Sequence, residues 1–280
     1  MKLIKRITIG AVTLTALASS MPSLADLTMG IFPRRPAAVT NKLFKPLAEM
    51  MSQQLGEKVD LVVTKDFKSF WAGVESGKFD IVHLNQYHYI LAHDKQGYQV
   101  FAANEENGSR TIAGAITVRK DSGIDSLAGL KGKTILFGGG RKAMGSYIAP
   151  TALLKKEGLK EGVDYTAQFA KNPPGAAISL FHKAADAAGT GNVILGLGAV
   201  KKKIDVSQLK ILAESEPYVQ LPWAARKDMD PAKVKKIAEM MISLPKGDAV
   251  LESAKVTAFF SATDADFEKV REIADFALSN

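Results

Sequence analysis

The sequence predicts an α/β protein of two lobes, each a mostly parallel sheet flanked by helices, with a ligand cleft between them. Three observations predict it. Short apolar runs alternate with segments of helical period at the spacing of βαβ units. The alternation breaks at Asn104–Ser109, a polar, glycine-containing stretch, and then resumes. The 280 residues are 46% hydrophobic and 24% charged, which allows a sizeable core and two domains of ordinary size.

The chain opens with a segment read as a cleavable export signal, residues 1–25. Lys2, Lys5 and Arg6 form its basic end, Ile7–Ala18 its apolar stretch, and Ser23-Leu24-Ala25 its small-x-small cleavage site. Leu27–Phe32 then reads as a first strand, stopped by Pro33-Arg34-Arg35-Pro36. Thr40 or Asn41 is placed to cap a helix to Leu55, with Leu43, Phe44, Leu47, Met50 and Met51 inward. Lys58–Thr64 is a second strand, and Asp66 caps a helix to about Ser76. Phe79–Leu84, Gln86–Lys95 and Gly97–Ala103 follow as strand, helix and strand. Beyond the polar break, Ile112–Arg119, Lys133–Phe137, Asp164–Phe169 and Leu209–Ala213 read as strands and Ala187–Gly191 as a weak one. Helices are expected near 176–185 and 193–201, a loop at Glu216–Pro222, an extended return at Trp223–Arg226, and helices from Pro231 to about Leu244, near 246–254 and near 263–278. The lobes implied are 26–112 with 225–280, and 113–224.

Gly132–Gly158 organises the second lobe. It reads as strand, Gly138-Gly139-Gly140 turn, and a helix from about Ala143 to Lys156. Residues without a Cβ let backbone approach a ligand closely, and the unpaired first-turn amides of a helix suit an anion. Arg141 and Lys142 add positive charge there. The spacing of a Walker phosphate loop is absent.

Composition narrows the function classes. The chain carries +8; removing the three basic residues of the leader leaves 34 basic against 29 acidic, or +5. With export expected, that excess fits an anionic small molecule better than nucleic acid. No cysteine is present, so disulfides, thiolate nucleophiles and cysteine-ligated metals are out. His83, His88 and His93 recur every five residues, which turns neighbouring rings well apart on a helix, so no metal or other cofactor is expected. No Ser lies in a Gly-x-Ser-x-Gly elbow and no histidine stands beside an evident nucleophile, so an enzyme is not expected.

Several segments, in order, resemble the phosphonate/phosphite-type periplasmic solute-binding proteins of ABC transporters. They are Gly30-x-x-Pro33, Lys45-Pro46-Leu47-Ala48, Asp66-Phe67, Gly77-Lys78-Phe79-Asp80, Leu84-Asn85-Gln86-Tyr87-His88-Tyr89, Ser126-Leu127-Ala128-Gly129-Leu130-Lys131-Gly132-Lys133 and Ala185-Asp186-Ala187. The resemblance implies a type 2 periplasmic binding protein fold and lobe closure around a small ligand. It also implies a monomer that delivers the ligand to an ABC permease; a membrane sensor is the alternative partner. The family's helix opening, Ser-Thr-Ser-Gly, is here Ala143-Met144-Gly145-Ser146, and Phe67 replaces its usual Tyr, so a changed, more apolar ligand is expected.

The candidate ligand contacts are Phe32, Phe67, Gln86, Tyr89, Arg141, Ala143, Met144, Gly145 and Asp186. Arg34 and Arg35 are read as solvent-facing and Trp223 as core.

Overall fold

Apolar runs become strands because each buries both faces of its pleat under helices. The structure, a computed structural model, describes residues 26–279; the expected export signal lies outside the described residues. The first lobe begins β1 (Leu27–Ile31), α1 (Ala37–Leu55), β2 (Val59–Val63), α2 (Phe67–Glu75), β3 (Ile81–His83), α3 (Gln86–Gln96) and β4 (Gln99–Glu105). The chain crosses through β5 (Thr111–Ile112) into the second lobe. There lie β6 (Gly114–Arg119), β7 (Lys133–Gly138), α4 (Ala149–Lys156), β8 (Tyr165–Ala170), α5 (Pro173–Phe181), β9 (Ala187–Gly191), α6 (Gly198–Lys201) and β10 (Leu209–Glu214). It returns through β11 (Tyr218–Val219) to β12 (Pro222–Ala225), α7 (Pro231–Ile242), α8 (Ala249–Ala254), β13 (Ala258–Ser261) and α9 (Glu268–Leu278).

One sheet has the order β13-β4-β12-β3-β1-β2 and the other β10-β6-β9-β7-β8. In each, four strands run the same way; the reversed ones are β12 and β13 in the first and β6 in the second. The crossing strands β5 and β11 pair with each other, Tyr218 opposite Ile112. The segment expected as a loop at Glu216–Pro222 is therefore part of the hinge ribbon.

Three further features differ from the sequence expectation, each for a tertiary reason. First, α1 starts at Ala37, directly after Pro36 and without a side-chain cap. Pro46 sits inside this helix and has no N–H for the Lys42 carbonyl; Ser253 Oγ reaches the Lys42 and Leu43 carbonyls instead, at 3.4 and 3.0 Å. Second, Ala258–Ser261 adds an edge strand against β4, a role that non-local pairing decides. Third, α9 does not lie on the first lobe alone. It packs against α3 and also against α4, and Lys155 Nζ of α4 donates to the carbonyls of Phe276 and Ser279 at 2.9 and 2.7 Å.

Candidate functional site

Ligands of open α/β sheets bind beyond the carboxyl ends of the strands. In this protein those ends meet: Lys142, in the loop after β7, holds its ammonium 5.6 Å from the centre of the Trp71 ring on α2.

The first lobe supplies side chains. Phe32 continues β1, its N–H donating to the His83 carbonyl at 3.1 Å. Arg34 follows, pairing with Glu106 at 2.9 Å and lying over the Phe32 ring at 5.4 Å. Asn104 Nδ2 also donates to Glu106, at 3.0 Å, and is itself fixed by the Trp223 indole N–H at 2.8 Å. Burial of Glu106 works against its ionisation, but Arg34 and Asn104 hold its carboxyl below the usual range. Arg35 has no such arrangement. Among the described residues its guanidinium makes neither an ion pair nor a hydrogen bond. Burial, with Arg34 beside it and Glu106 opposing in part, pushes its pKa down to about 10, so it remains a cation at neutral pH. The sequence reading of Arg34 and Arg35 as solvent-facing is thus corrected. They directly follow a strand end between two prolines, and that position was the available signal.

His83 ends β3 beneath this cluster. Its ring stacks on Trp223 at 4.4 Å and its Nδ1 lies 3.0 Å from the Pro222 carbonyl, so Nδ1 carries the proton. Its Nε2 is a buried acceptor without a donor among the described residues. Burial, reinforced by Arg34, pushes its pKa down to about 3. A row of rings then leads to the lobe junction: Phe32 to Phe67 at 6.2 Å, Phe67 to His88 at 5.3 Å, and His88 to Trp71 at 5.2 Å. Burial, then Lys142, lowers the His88 pKa to about 4, so its ring is neutral. Phe67, 38% exposed, is the open member of the row.

The second lobe supplies backbone. Gly138 lies so close to α5 that a Cβ there would stand 2.4 Å from the Pro173 Cα, and Gly139 has φ +120°. The helix opens at Met144 with a π turn, Met144–Ile148, before α4. The amides of Met144, Gly145 and Ser146 have no acceptor inside the helix, as in any first turn. Ser146, the hydroxyl residue of this opening, turns inward and donates to the Gly138 carbonyl at 2.5 Å. The Tyr218 hydroxyl, buried and without a partner among the described residues, lies beside Gly145.

Of the nine sequence candidates, Phe32, Phe67, Ala143, Met144 and Gly145 stand on the strand ends and loop that meet here, although Phe32 and Met144 are buried. Gln86 stands at the start of α3, buried, with its Nε2 on the Val219 carbonyl of the hinge ribbon at 3.1 Å. Three are displaced. Tyr89 is fully buried, and its hydroxyl donates to Asp264 at 2.8 Å. Arg141 turns away onto Phe169 and Tyr147, and Glu161 takes its guanidinium through two bonds, the shorter 2.5 Å. Asp186 accepts from the Thr134 N–H at 2.9 Å at the start of β9. That is the end of the sheet away from Gly138, about 13 Å along the strand at roughly 3.3 Å per residue. Lys142, which makes no ion pair among the described residues, takes the place expected of Arg141. Two shallow hollows of about 330 and 320 Å³ lie elsewhere, along α1 and β2 and around Gly77 and Arg226, and adjoin none of these groups.

Two α/β lobes joined by paired crossing strands, with opposed strand ends and a cation excess between them, define a two-lobed binding protein of the type 2 periplasmic kind. The chain belongs to the family described as the periplasmic substrate-binding protein of phosphonate ABC transporters, which matches residues 29–267. It is 22% identical to the phosphate-import protein PhnD of Mycolicibacterium smegmatis, over 89% of this chain and 85% of that protein. It is 23% identical to the phosphonates-binding periplasmic protein of Escherichia coli K12, over 89% and 76%. Among solved structures, a binding protein component of an ABC phosphonate transporter from Pseudomonas aeruginosa shares the fold. Its TM-score is 0.76 at 19% identity, with 90% of this chain and 86% of that one covered. The chain is thus a periplasmic substrate-binding protein of an ABC transport system.

Proposed function

We propose that the cleft captures a small oxyanion of the phosphonate or phosphate class and delivers it to an ABC permease. The observation that carries this reading is Arg35, a half-buried cation at a strand end whose guanidinium makes no ion pair among the described residues, with Glu106, already held by Arg34, offsetting only part of its lowered pKa. Partial burial weakens the hydration of a charge, so an anionic ligand that pairs directly with this guanidinium gains what the fold leaves unsatisfied. Lys142, which reaches Trp71 from the other lobe, and the first-turn amides of Met144–Ser146 offer the anion a second set of donors on closure. The names of the two relatives agree with this class of ligand.

The remaining parts of the reading follow from family and chain. The protein is exported through residues 1–25, acts as a monomer and performs no chemistry on its ligand. Transport is preferred to sensing because the family is one of transport proteins. A thermal-shift and titration panel of phosphate, phosphite, methylphosphonate, sulfate and amino acids tests the ligand class. Stabilisation by a phosphorus oxyanion, about 2.7 kcal/mol at a hundredfold excess over Kd, is expected. Stabilisation by amino acids alone would contradict it.

A further inference from the structure

The hinge ribbon is not all that joins the two lobes. After β13, a strand of the first sheet, the turn Asp264–Phe267 leads into α9. This helix packs on α3 of the first lobe, and on α4 and its opening π turn in the second. Its buried stripe, Val270, Ala274 and Ala277, recurs at helical spacing. The stripe belongs to one apolar cluster that also holds Leu84 of the first lobe and Leu154 of the second.

The two ends of α9 are fixed differently. At the first-lobe end the attachment is redundant. The chain continues from β13, and the Phe267 ring packs on the Tyr89 ring at 4.6 Å beside the Tyr89–Asp264 hydrogen bond. At the other end a single side chain makes the polar attachment. Lys155 Nζ of α4 donates to the carbonyls of Phe276 and Ser279 at 2.9 and 2.7 Å and to Ser279 Oγ at 2.7 Å, and it lies 5.3 Å from the centre of the Phe276 ring. The last carbonyls of a helix lack amide partners and carry the negative end of its dipole, so an ammonium suits them.

We propose that α9 is a strap between the lobes and that Lys155 is its clasp, a positioning residue that keeps the lobes in the arrangement in which Lys142 reaches Trp71. A helix held at both ends limits rotation about the hinge ribbon. Releasing one end lowers the fraction of molecules with both sets of ligand donors in place, and the apparent affinity falls with that fraction. The effect on affinity rests on the oxyanion reading; the strap does not.

Two spin labels and a titration test it. The chain has no cysteine, so Lys65→Cys and Lys171→Cys, at exposed positions just beyond β2 and β8, take labels only there. Pulsed electron–electron distances are measured without ligand in this protein and in the same protein carrying Lys155→Met, which keeps an apolar stem and removes the ammonium. Lys156→Met removes the same charge from the neighbouring exposed lysine, outside the clasp. Longer and broader distances are expected in Lys155→Met and not in Lys156→Met. Calorimetric affinity for phosphate, phosphite or methylphosphonate, whichever binds tightest, should fall about three- to tenfold in Lys155→Met alone. Unchanged or shorter distances in Lys155→Met, or an equal change in both variants, overturn the strap. Longer distances with unaltered affinity overturn the role of Lys155 in binding. Longer distances with no response of any of these proteins to the three oxyanions uphold the strap and overturn the oxyanion reading instead.

Discussion

The loop after β1 and the loop after β7 occupy equivalent ends of the two sheets, and each carries an adjacent pair of basic residues. They use them differently. After β1, Arg34 is paired with Glu106 while Arg35 is left half-buried and without an ion pair among the described residues. After β7, Arg141 is gripped by Glu161 and Tyr147 on the outer face, and Lys142 alone reaches the junction. The hydrogen bond that Arg141 donates to the Glu161 carboxylate raises the Arg141 pKa, whereas burial lowers that of Arg35. A cation is available to a ligand only where the fold has not already given it an anion. Sequence position alone cannot report that, because Glu106 and Glu161 are each distant in sequence from the arginine they hold.

The largest expected effect comes from acid and strikes the first lobe. His83 and His88 are both neutral in the folded protein, with pKa values lowered to about 3 and about 4. The unfolded chain takes up these protons near the ordinary histidine value of about 6.5. Their contribution is therefore fully present above that pH and is lost as pH falls towards the folded values, by on the order of 1 kcal/mol per pH unit for each ring. Urea unfolding at pH 7.5, 6 and 5 should show the midpoint falling steadily; a flat midpoint would contradict the burial of the two rings.

Next is a change in how the second loop is placed. Gly138→Ala drives a Cβ into the Pro173 backbone, which cannot yield as a flexible side chain would. It should cost about 3 kcal/mol, or roughly 6–12 °C in Tm, read by thermal unfolding. The ligand-facing cations follow. Arg35→Ala should weaken oxyanion binding on the order of 100-fold, and Lys142→Ala about tenfold, both by calorimetry. Smallest are the displaced candidates. Tyr89→Phe removes the bond to Asp264 and should cost about 1 kcal/mol of stability without altering affinity.

Most of the fold was legible because each lobe is built from local signals. Asp66 caps α2 by accepting from the Ser69 N–H at 2.8 Å, as its residue type implies. What escaped is decided by pairing over long separations. Ala258–Ser261 becomes a strand because β4 offers an edge, and Tyr218–Val219 becomes one because Thr111–Ile112 lies opposite. The site was legible as a place and less so as a set of residues. Strand ends and glycine turn were located, but Tyr89 faces Asp264 across 175 residues and Asp186 lies at the wrong end of its strand. Arg35, flanked by prolines at a strand end, was visible in the sequence; its lack of a counter-ion was not.

The central claim, that the unpaired arginine and not the paired one holds the ligand, is tested most directly by one side-by-side titration. Arg35→Ala and Arg141→Ala would each be titrated with the tightest phosphorus oxyanion from the panel. Arg35→Ala should lose on the order of 100-fold in affinity. Arg141→Ala should stay within about twofold, because its guanidinium faces Glu161 away from the cleft. Wild-type affinity in Arg35→Ala together with a large loss in Arg141→Ala would contradict the account.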